Sequence, residues 1–257
     1  MCESRMIGNH KVLVAAPAHN EEANIGDVLA KIKSEFPSLD ILVVDDGSED
    51  STPAVAKEKG ALVVSHNENL GVAAVIQTSR IYALDYGYDF IVFCDADGQH
   101  NTSDISKILH PLLRGEADFV IGSRELGSYV GHESLLLKLS RYFCSTVTSF
   151  LIRQRIRDTT SGFKGWNRKV IEYLKTAYET SAKLHLSTTN DIEEILLASK
   201  GGAKIIEVPV TMFSREGESE IYATHNLFYF LTAFPWHLIR TVLRNLWSTT
   251  GDNMLWL

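Results

Sequence analysis

The chain has 257 residues, and 45% of them are hydrophobic, which is enough for one large domain with a substantial core. Its formal net charge of −7 excludes a general nucleic-acid-binding protein, because contact with phosphate backbones requires a basic face. The three cysteines, Cys2, Cys94 and Cys144, form no CxxC pair, and a scattered odd set is typical of reduced thiols in the cytosol. The N-terminus lacks a long apolar segment, so no secretory signal is expected.

Strands and helices alternate through the first half of the chain. The helix predicted at 25–36 has an apolar face that includes Val28 and Ile32, and Asn24 is its predicted N-cap. The predicted strands are 11–16, 40–44, 61–65, 90–94 and 119–122. A second helix is predicted between its cap, Ser51 or Thr52, and Gly60, where it stops. A third follows the loop that ends at Gly71 and runs to about Tyr86, and a fourth runs over 104–113. Alternation at this spacing predicts an α/β fold with a doubly wound, mostly parallel sheet flanked by helices.

The second half of the chain is less regular. Residues 135–156 are apolar with lysine and arginine interleaved, and a helix is predicted at 191–200 and a strand at 204–212. The alternating Arg153, Arg155 and Arg157 predict either a solvated helix end or a surface for anionic lipid head groups.

An aromatic, apolar tail at 226–247 follows a polar loop at 214–220. Pro235 and His237 interrupt this tail, which predicts one or two kinked amphipathic helices lying in a membrane interface and not a membrane span. A helix packed on the domain itself, or a dimer contact, is the alternative. We therefore expect a main domain at 1–220 and a membrane-associated helical tail at 221–257.

The apolar stretch 90–94 stops at two carboxylates, Asp95 and Asp97. Its length and β-branched content are typical of a buried strand, and Gly98 lets the chain turn. Carboxylates two residues apart at the carboxyl end of a strand can bind one hard cation, Mg²⁺ or Mn²⁺, with Gln99 as a third oxygen ligand. Taken alone, this Asp-x-Asp pattern is equally compatible with a solvated turn.

Two other predicted strands end in polar residues. Strand 40–44 leads into Asp45 and Asp46, and strand 11–16 leads into the segment 17–22, PAHNEE. Because the carboxyl ends of parallel strands lie at one edge of a sheet, three strand ends are expected to converge on one crevice. The crevice has no glycine-rich phosphate loop, so it is predicted to hold a cation and not a bare phosphate.

These segments resemble family 2 glycosyltransferases of the GT-A fold. The matching segments are PAHNEE at 17–22, VVDDGS at 43–48, NLG at 69–71, the DXD-type motif DADGQH at 95–100 and GSR at 122–124. Segments 158–164, DTTSGFK, 207–210, EVPV, and 215–219, REGES, are similar to polyprenyl-phosphate glycosyltransferases such as dolichol-phosphate mannose synthase. The resemblance extends over about residues 11–220 in the right order.

The resemblance implies a role for each matching residue. Asp97 and Arg215 are the implied catalytic residues, and Asp95, Asp97 and Gln99 are the implied metal ligands. The implied donor-binding residues are Pro17, His19, Glu21, Val44, Asp46, Asp95, Ala96, Asp97, Gln99 and Arg215, and the implied acceptor-binding residues are Arg124, Arg141 and Ser145. Glu220 departs from the pattern, because the family usually has a phosphate-binding lysine there.

The implied activity is inverting transfer of a hexose from a nucleotide diphosphate sugar to a polyprenyl phosphate, with Mg²⁺ or Mn²⁺ as cofactor. GDP-mannose is the favoured donor and UDP-glucose the next. The protein is expected on the cytosolic membrane face as a peripheral protein without a nucleic-acid partner, and its oligomeric state stays open. A soluble hydroxyl acceptor, with Asp191, Glu193 or Glu194 as general base, is the alternative. A non-catalytic binding protein is a further one.

Overall fold

One mixed sheet organises the part of the chain that the computed structural model describes, residues 6–7, 9–180 and 190–214. Its strands are β1 (Met6–Ile7), β2 (His10–Ala18), β3 (Asp40–Asp45), β4 (Leu62–Ser65), β5 (Phe90–Phe93), β6 (Phe119–Val130), β7 (Lys164–Asn167) and β8 (Ile205–Phe213). The strand order is β4-β3-β2-β5-β7-β6-β8, and β1 pairs with β2 outside this path. Pairing is parallel except at β1 and at β7, which runs antiparallel to both β5 and β6.

Helices cover both faces of the sheet. They are α1 (Ile25–Glu35), α2 (Thr52–Glu58), α3 (Val72–Asp85), α4 (Ile105–Leu113), α5 (Leu135–Ile152), α6 (Arg168–Thr180) and α7 (Asn190–Lys200). Apolar side chains of α1, α2 and α4 pack on one face, and those of α3, α6 and α7 pack on the other. This three-layer arrangement confirms the predicted α/β fold with a mostly parallel sheet.

The central strands are apolar on both faces because each face is covered by helices. Residues Val12 to Ala16 of β2 are fully buried, and so are Leu42 to Val44 of β3. The predicted apolar face of α1 is also confirmed, since Val28, Leu29 and Ile32 are buried. These layers place the ends of β2, β3 and β5 side by side at the carboxyl edge.

The predicted helix caps are wrong. The side chain of Asn24 does not cap α1 but donates a hydrogen bond from Nδ2 to Glu21 Oε2 at 2.9 Å. Ser51 makes no side-chain cap to α2 either. There Asp50 Oδ1 accepts the backbone N–H of Thr52 at 2.9 Å, which takes the place of the cap. At α2 a carboxylate thus takes a backbone N–H of the first turn, whereas at α1 the carboxylate of Glu21 holds the Asn24 side chain itself.

The region after residue 118 differs most from the sequence prediction. Strand β6 continues to Val130, beyond the predicted 119–122, and resumes its pairing with β8 after an irregularity between Ser123 and Ser128. Strand β7 and helix α6 were not predicted at all. The predicted helix 191–200 and strand 204–212 are confirmed as α7 and β8 within one residue. Arg215, Glu220 and the tail at 221–257 lie outside the described residues.

Candidate active site

The ends of β2, β3 and β5 meet at one crevice, as the sequence predicted. Pro17 pairs with Val44 across β2 and β3. The backbone N–H of Ala96 lies 3.4 Å from the Pro17 carbonyl oxygen, and that of Asp46 donates to the Ala18 carbonyl at 2.8 Å. The segments that resemble the donor-binding parts of the family therefore touch one another in the fold.

His19 and Glu21 continue from β2 along the rim of this crevice. The Nδ1 atom of His19 is 2.9 Å from the backbone carbonyl oxygen of Asp46. Glu21 is buried, and its backbone N–H donates to Thr52 Oγ1 at 2.8 Å. These contacts join the segment after β2 to the segment after β3 and fix the rim.

The carboxylate of Asp46 organises the loop that precedes α3. It accepts hydrogen bonds from the backbone N–H groups of Leu70, at 2.9 Å, and Gly71, at 2.7 Å. The Nδ1 atom of His66 lies 2.7 Å from the same carboxylate. Gly71 has φ +87°, a conformation that favours glycine. Asp46 thus shapes the crevice wall through this loop, and His66 is a partner that sequence reasoning missed.

Asp95 and Asp97 present oxygen atoms at the end of β5. The Asp95 side chain is 34% exposed, and Asp97 Oδ1 accepts the backbone N–H of Gln99 at 2.9 Å. Loss of hydration in the crevice, and secondly the negative charge of Asp191, raise the pKa of Asp95 to about 6. The charges of Lys164 and Arg124 lower this pKa but do not offset its rise, so the ionised carboxylate is not fully compensated by the protein. Such an oxygen donor set fits a divalent cation, Mg²⁺ or Mn²⁺.

Two carboxylates leave coordination positions for substrate. Among residues 6–7, 9–180 and 190–214, no group of three or more His, Cys, Asp and Glu could hold a metal ion. Asp95 and Asp97, with the amide oxygen of Gln99, would therefore share the ion with the phosphates of a donor, as is common for Mg²⁺.

The side chain of His100 supports the backbone at Asp95. Its ring is buried and stacks on Phe163 with ring centres 4.6 Å apart. Burial lowers the pKa of His100 to about 4, so the ring is neutral at pH 7. Its Nδ1 atom accepts the backbone N–H of Asp95 at 3.1 Å, which assigns the proton to Nε2. The neutral ring of His100 therefore holds the backbone of residues 95–99, the candidate metal motif.

A cavity of about 910 Å³ lies between the end of β6 and α5. Its lining includes the three implied acceptor residues Arg124, Arg141 and Ser145. The other basic side chains in its wall are Lys138, Arg155 and Arg157. The structure therefore brings Arg124 of β6 next to Arg141 and Ser145, which lie one turn apart on α5. The basic side chains of the wall outnumber its two carboxylates, Glu125 and Glu133.

Arg124 connects this cavity to the crevice. Its Nε atom donates to the buried carboxylate of Asp158 at 2.7 Å, and Nη2 donates to the Thr160 carbonyl at 3.2 Å. The positive charge of Arg124 also lowers the pKa of Asp95 and so opposes the rise that burial causes. The arginine of the cavity is thus within electrostatic reach of the candidate metal ligand.

Arg141 is held by two carboxylates in the cavity wall. It pairs with Glu133 and, at 3.0 Å, with Glu125. The hydrogen bond from Arg141 lowers the pKa of Glu133. Ser145 donates from Oγ to the Arg157 carbonyl at 2.7 Å, which ties α5 to the segment after it. Sequence reasoning missed Glu133, because nothing in its local pattern marks the pairing.

Helix α5 exposes a stripe of apolar side chains beside the cavity. The exposed fraction is 57% for Leu139, 74% for Tyr142 and 83% for Phe150. Among the described helices, α5 is the one long and apolar enough to cross a membrane by length and composition. Leu139 and Tyr142 also line the cavity, so the apolar stripe and the basic cavity are continuous.

The three predicted general-base candidates are buried or paired. Asp191 and Glu194 both accept hydrogen bonds from the Lys164 ammonium, and Glu194 also pairs with Arg80. Glu193 is 2% exposed. Burial alone would lower the pKa of Lys164, but the two carboxylates raise it above its ordinary value. Lys164 therefore stays charged, and sequence reasoning gave it no role.

Residues 13–174 match the family model "Glycosyl transferase family 2". The chain is 31% identical over 214 residues to a polyprenol monophosphomannose synthase of Mycolicibacterium smegmatis, covering 80% of this chain and 78% of that one. It is 26% identical to a UDP-N-acetylglucosamine–dolichyl-phosphate N-acetylglucosaminyltransferase of Methanococcus voltae, covering 85% and 93%.

Solved structures give the same fold. Glucosyl-3-phosphoglycerate synthase of Mycobacterium tuberculosis, in complex with Mn²⁺, UDP-glucose and phosphoglyceric acid, superposes with a TM-score of 0.68 at 21% identity, covering 92% of this chain and 80% of that one. The matched residues include the ends of β2, β3 and β5 that form the crevice. The chain therefore belongs to glycosyl transferase family 2, has the GT-A fold and is a glycosyltransferase.

Proposed function

We propose that this enzyme transfers a hexose, with inversion, from a nucleotide diphosphate sugar to a polyprenyl phosphate at a membrane surface. GDP-mannose is the first donor to test and UDP-glucose the second. Relatives named for transfer to polyprenol or dolichyl phosphate support the acceptor class. The observation that carries the proposal is the basic cavity, which continues into the apolar stripe of α5. On its other side, Arg124 bonds to the Thr160 carbonyl, two residues before the Gly162 that lies against Asp95.

The cavity fits an acceptor with a charged head and an apolar chain. Arg124, Arg141 and Lys138 offer N–H groups to a phosphate, which is the group that arginine binds best. Leu139 and Tyr142 in the same wall offer apolar contact to the first part of a polyprenyl chain. A soluble sugar would gain little from such a wall, whereas a lipid phosphate would use both parts of it.

A phosphate acceptor needs no general base, because its oxygen is already anionic. That oxygen would attack the anomeric carbon from the face opposite the leaving group, and the bond from this carbon to the donor diphosphate would break. The nucleoside diphosphate leaves with the electron pair, and the configuration of the anomeric carbon inverts. The pairing of Asp191 and Glu194 with Lys164 agrees with a reaction that takes no proton from the acceptor.

Asp95, Asp97 and Gln99 are the proposed metal ligands. Mg²⁺ or Mn²⁺ bound there would neutralise charge on the leaving diphosphate. The protein's own part is positioning: Pro17, Val44 and the loop held by Asp46 shape the nucleotide site. Arg215, which the family resemblance places at the diphosphate, lies outside the described residues.

We also propose that the enzyme works as a peripheral protein on the cytosolic membrane face. The exposed stripe of α5 and the basic residues that follow it, Arg153, Arg155 and Arg157, are suited to an interface with anionic lipids. These arginines lie beyond the end of α5, which stops at Ile152, and Arg153 has a left-handed backbone conformation. The tail at 221–257 is a second proposed contact.

The test is a transfer assay with purified enzyme, polyprenyl phosphate in mixed micelles, and GDP-mannose or UDP-glucose with Mn²⁺. We expect a lipid-linked product with one of the donors and none when excess chelator is present. Polyprenol and 3-phosphoglycerate serve as matched acceptors, one without the phosphate and one without the lipid. Transfer to either of these, with none to polyprenyl phosphate, would refute the proposal.

A further inference from the structure

Four charged side chains are buried together next to the crevice. They are Arg80 on α3, Lys164 on β7, and Asp191 and Glu194 on α7. Arg80, Lys164 and Glu194 are at most 2% exposed, whereas Asp191 is 28% exposed. Arg80 pairs with Glu194, and Lys164 pairs with Asp191 and, at 2.5 Å, with Glu194. The cluster leads from the core to the crevice, and Asp191 is its exposed end.

A buried ionic cluster of this kind contributes little to the free energy of unfolding. Each ion loses its hydration, and apolar residues of the same volume are often equally good for the fold. The Arg80 guanidinium is also packed over the Trp166 ring at 4.5 Å and the Tyr178 ring at 5.0 Å, so its geometry is closely fixed. What the cluster does achieve is to hold one partly exposed carboxylate, that of Asp191, in a defined position.

The Asp191 carboxylate is near the candidate metal motif, residues 95–99, because its negative charge helps to raise the pKa of Asp95. Lys164 lies directly opposite Phe93 in the antiparallel pairing of β7 with β5, so both side chains are on one face of the sheet. Asp95 follows Phe93 by two residues, and Gly162 precedes Lys164 by two. A Cβ atom at Gly162 would lie 3.3 Å from Asp95 Oδ2, so the chain before Lys164 passes against the Asp95 carboxylate.

We propose that Lys164 is a positioning residue that fixes Asp191 beside the metal motif, where the Asp191 carboxylate accepts hydrogen bonds from hydroxyl groups of the transferred sugar. This inference rests on the proposed function. Lys164 binds Oδ1 of Asp191, and a carboxylate has about four acceptor sites in all. In the sheet, β7 lies on one side of β5, and β2 and β3, whose ends form the proposed base site, lie on the other. A carboxylate held by Lys164 would therefore be on the side of the candidate metal motif away from the base, where the transferred sugar would lie.

The proposal separates two affinities that a merely structural role would change together. A nucleoside diphosphate contacts the metal motif and the base pocket but carries no transferred sugar. A nucleotide sugar adds the hydroxyl groups that Asp191 would bind. Loss of the Lys164–Asp191 pair should therefore weaken binding of GDP-mannose or UDP-glucose while binding of GDP or UDP is preserved.

Two double variants with the same net charge test this. Lys164→Met/Glu194→Gln removes the Lys164–Asp191 pair and leaves Arg80 and Asp191. Arg80→Met/Glu194→Gln keeps that pair and removes the deep end of the cluster. Both remove one positive and one negative buried charge, but the first also leaves Arg80 and Asp191 without their ion-pair partners, so we expect it to cost more stability. Thermal unfolding of both is therefore recorded, and binding is compared at a temperature where both are folded.

We expect the first double variant to bind the nucleotide sugar about tenfold more weakly, a change equal to about 1.4 kcal/mol. Its Kd for the nucleoside diphosphate should stay within about twofold of the wild-type value, and the second double variant should keep the wild-type ratio of the two Kd values. Equal ratios in both double variants would overturn the inference. A wild-type protein that binds the nucleotide sugar but transfers nothing to polyprenyl phosphate would instead overturn the proposed function.

Asp191→Asn provides a measurement that does not depend on the buried members. The amide keeps the volume of the side chain and replaces one acceptor oxygen by a donor. It should reproduce the tenfold loss for the nucleotide sugar with an unchanged Kd for the nucleoside diphosphate. A loss of transfer with unchanged nucleotide-sugar binding would mean that Asp191 acts on the acceptor, and the inference would be wrong.

Discussion

Asp97 offers the most direct residue-scale test of the candidate metal site. It lies on the turn after β5, and its side chain contacts the backbone N–H of Gln99. We expect Asp97→Ala to lower transfer by at least about 100-fold, because it removes a ligand of the ion that stabilises the leaving diphosphate. The exposed Glu49, in the turn after β3, provides the control variant Glu49→Ala. Transfer near the wild-type rate in Asp97→Ala would contradict the assigned role.

Gly162 tests how closely the motif is packed. Its φ is outside the left-handed region, so alanine is sterically allowed by the backbone, but the new Cβ would lie 3.3 Å from Asp95 Oδ2. Asp95 must then shift by a few tenths of an ångström. We expect Gly162→Ala to weaken Mn²⁺-dependent nucleotide binding by about tenfold with little loss of stability. Calorimetric titration of the nucleotide at several Mn²⁺ concentrations measures this. Unchanged metal dependence would show that the position of Asp95 does not depend on close packing against Gly162.

Arg141 tests the acceptor half of the site. Its side chain lines the basic cavity and is 11% exposed. We expect Arg141→Ala to raise KM for polyprenyl phosphate about tenfold or more while Kd for the donor is unchanged, because one charge-assisted contact to the phosphate is lost. Arg114→Ala, at a site that is 70% exposed and remote from the cavity, is the control. Loss of donor affinity with an unchanged acceptor KM would reverse the assignment.

The sequence placed the strand ends of the candidate site together, but it did not identify what each residue there contacts. Strand ends and the Asp-x-Asp pattern placed Asp95 and Asp97 correctly in one crevice, because the carboxyl edge of a parallel sheet follows from topology alone. The contacts of Asp46 with His66 and Gly71, and of Arg141 with Glu133, depend on loop conformations that no local pattern specifies. Because tertiary packing determines these contacts, they can be identified only from the structure.

At the scale of single elements, the two serine N-cap positions give a matched comparison. Ser134 Oγ accepts the backbone N–H of Leu137 at 3.2 Å and caps α5, whereas Ser51 makes no such bond to α2. We expect Ser134→Ala to lower the free energy of unfolding by about 0.5–2 kcal/mol, and Ser51→Ala to change it by only a few tenths. Urea unfolding measures both. An equal cost at the two positions would mean that the cap of α5 does not stabilise the helix.

Elements with a strong apolar period were predictable, and those held by distant charges were not. Strand β7 contains Lys164 and Gly165, residue types that are more common in loops than in buried strands. Lys164 is nevertheless buried, because it pairs with Asp191 and Glu194 of α7, which are 27 and 30 residues further along the chain. The second half of β6 alternates poorly because it pairs only with β8 and is largely exposed. Pairings of this kind override local propensity.

For the whole molecule, the donor crevice, the basic cavity and the apolar stripe of α5 form one continuous path. Arg124 of the cavity bonds to Thr160, two residues before the Gly162 that lies against Asp95, and Leu139 and Tyr142 belong to both the cavity and the stripe. A lipid phosphate could therefore enter from a membrane beside α5 with its head toward the donor and its chain still in the bilayer. The path agrees with the proposed function, in which an otherwise acidic protein concentrates positive charge in the cavity that would bind the acceptor phosphate.

This path makes a prediction about membrane binding. Phe143 and Phe150 lie seven residues apart on α5, are 53% and 83% exposed, and do not line the cavity. Each phenylalanine contributes about 1.5–3 kcal/mol when it is fully buried in an apolar medium. We expect Phe143→Ser/Phe150→Ser to weaken binding to vesicles that contain phosphatidylglycerol by at least about tenfold, measured by cosedimentation.

The matched control is Tyr86→Ser, which removes an aromatic side chain that is 59% exposed after the end of α3. Transfer to a short, water-soluble polyprenyl phosphate should be kept in the double variant, because the cavity and crevice are untouched. Transfer to a long-chain acceptor in vesicles should fall in proportion to binding, and added salt should weaken the residual binding through the arginines after α5. Vesicle binding that is unchanged in the double variant would exclude α5 as the membrane contact. A sedimentation coefficient that falls on mutation in the absence of vesicles would identify the stripe as a contact between two copies of the chain.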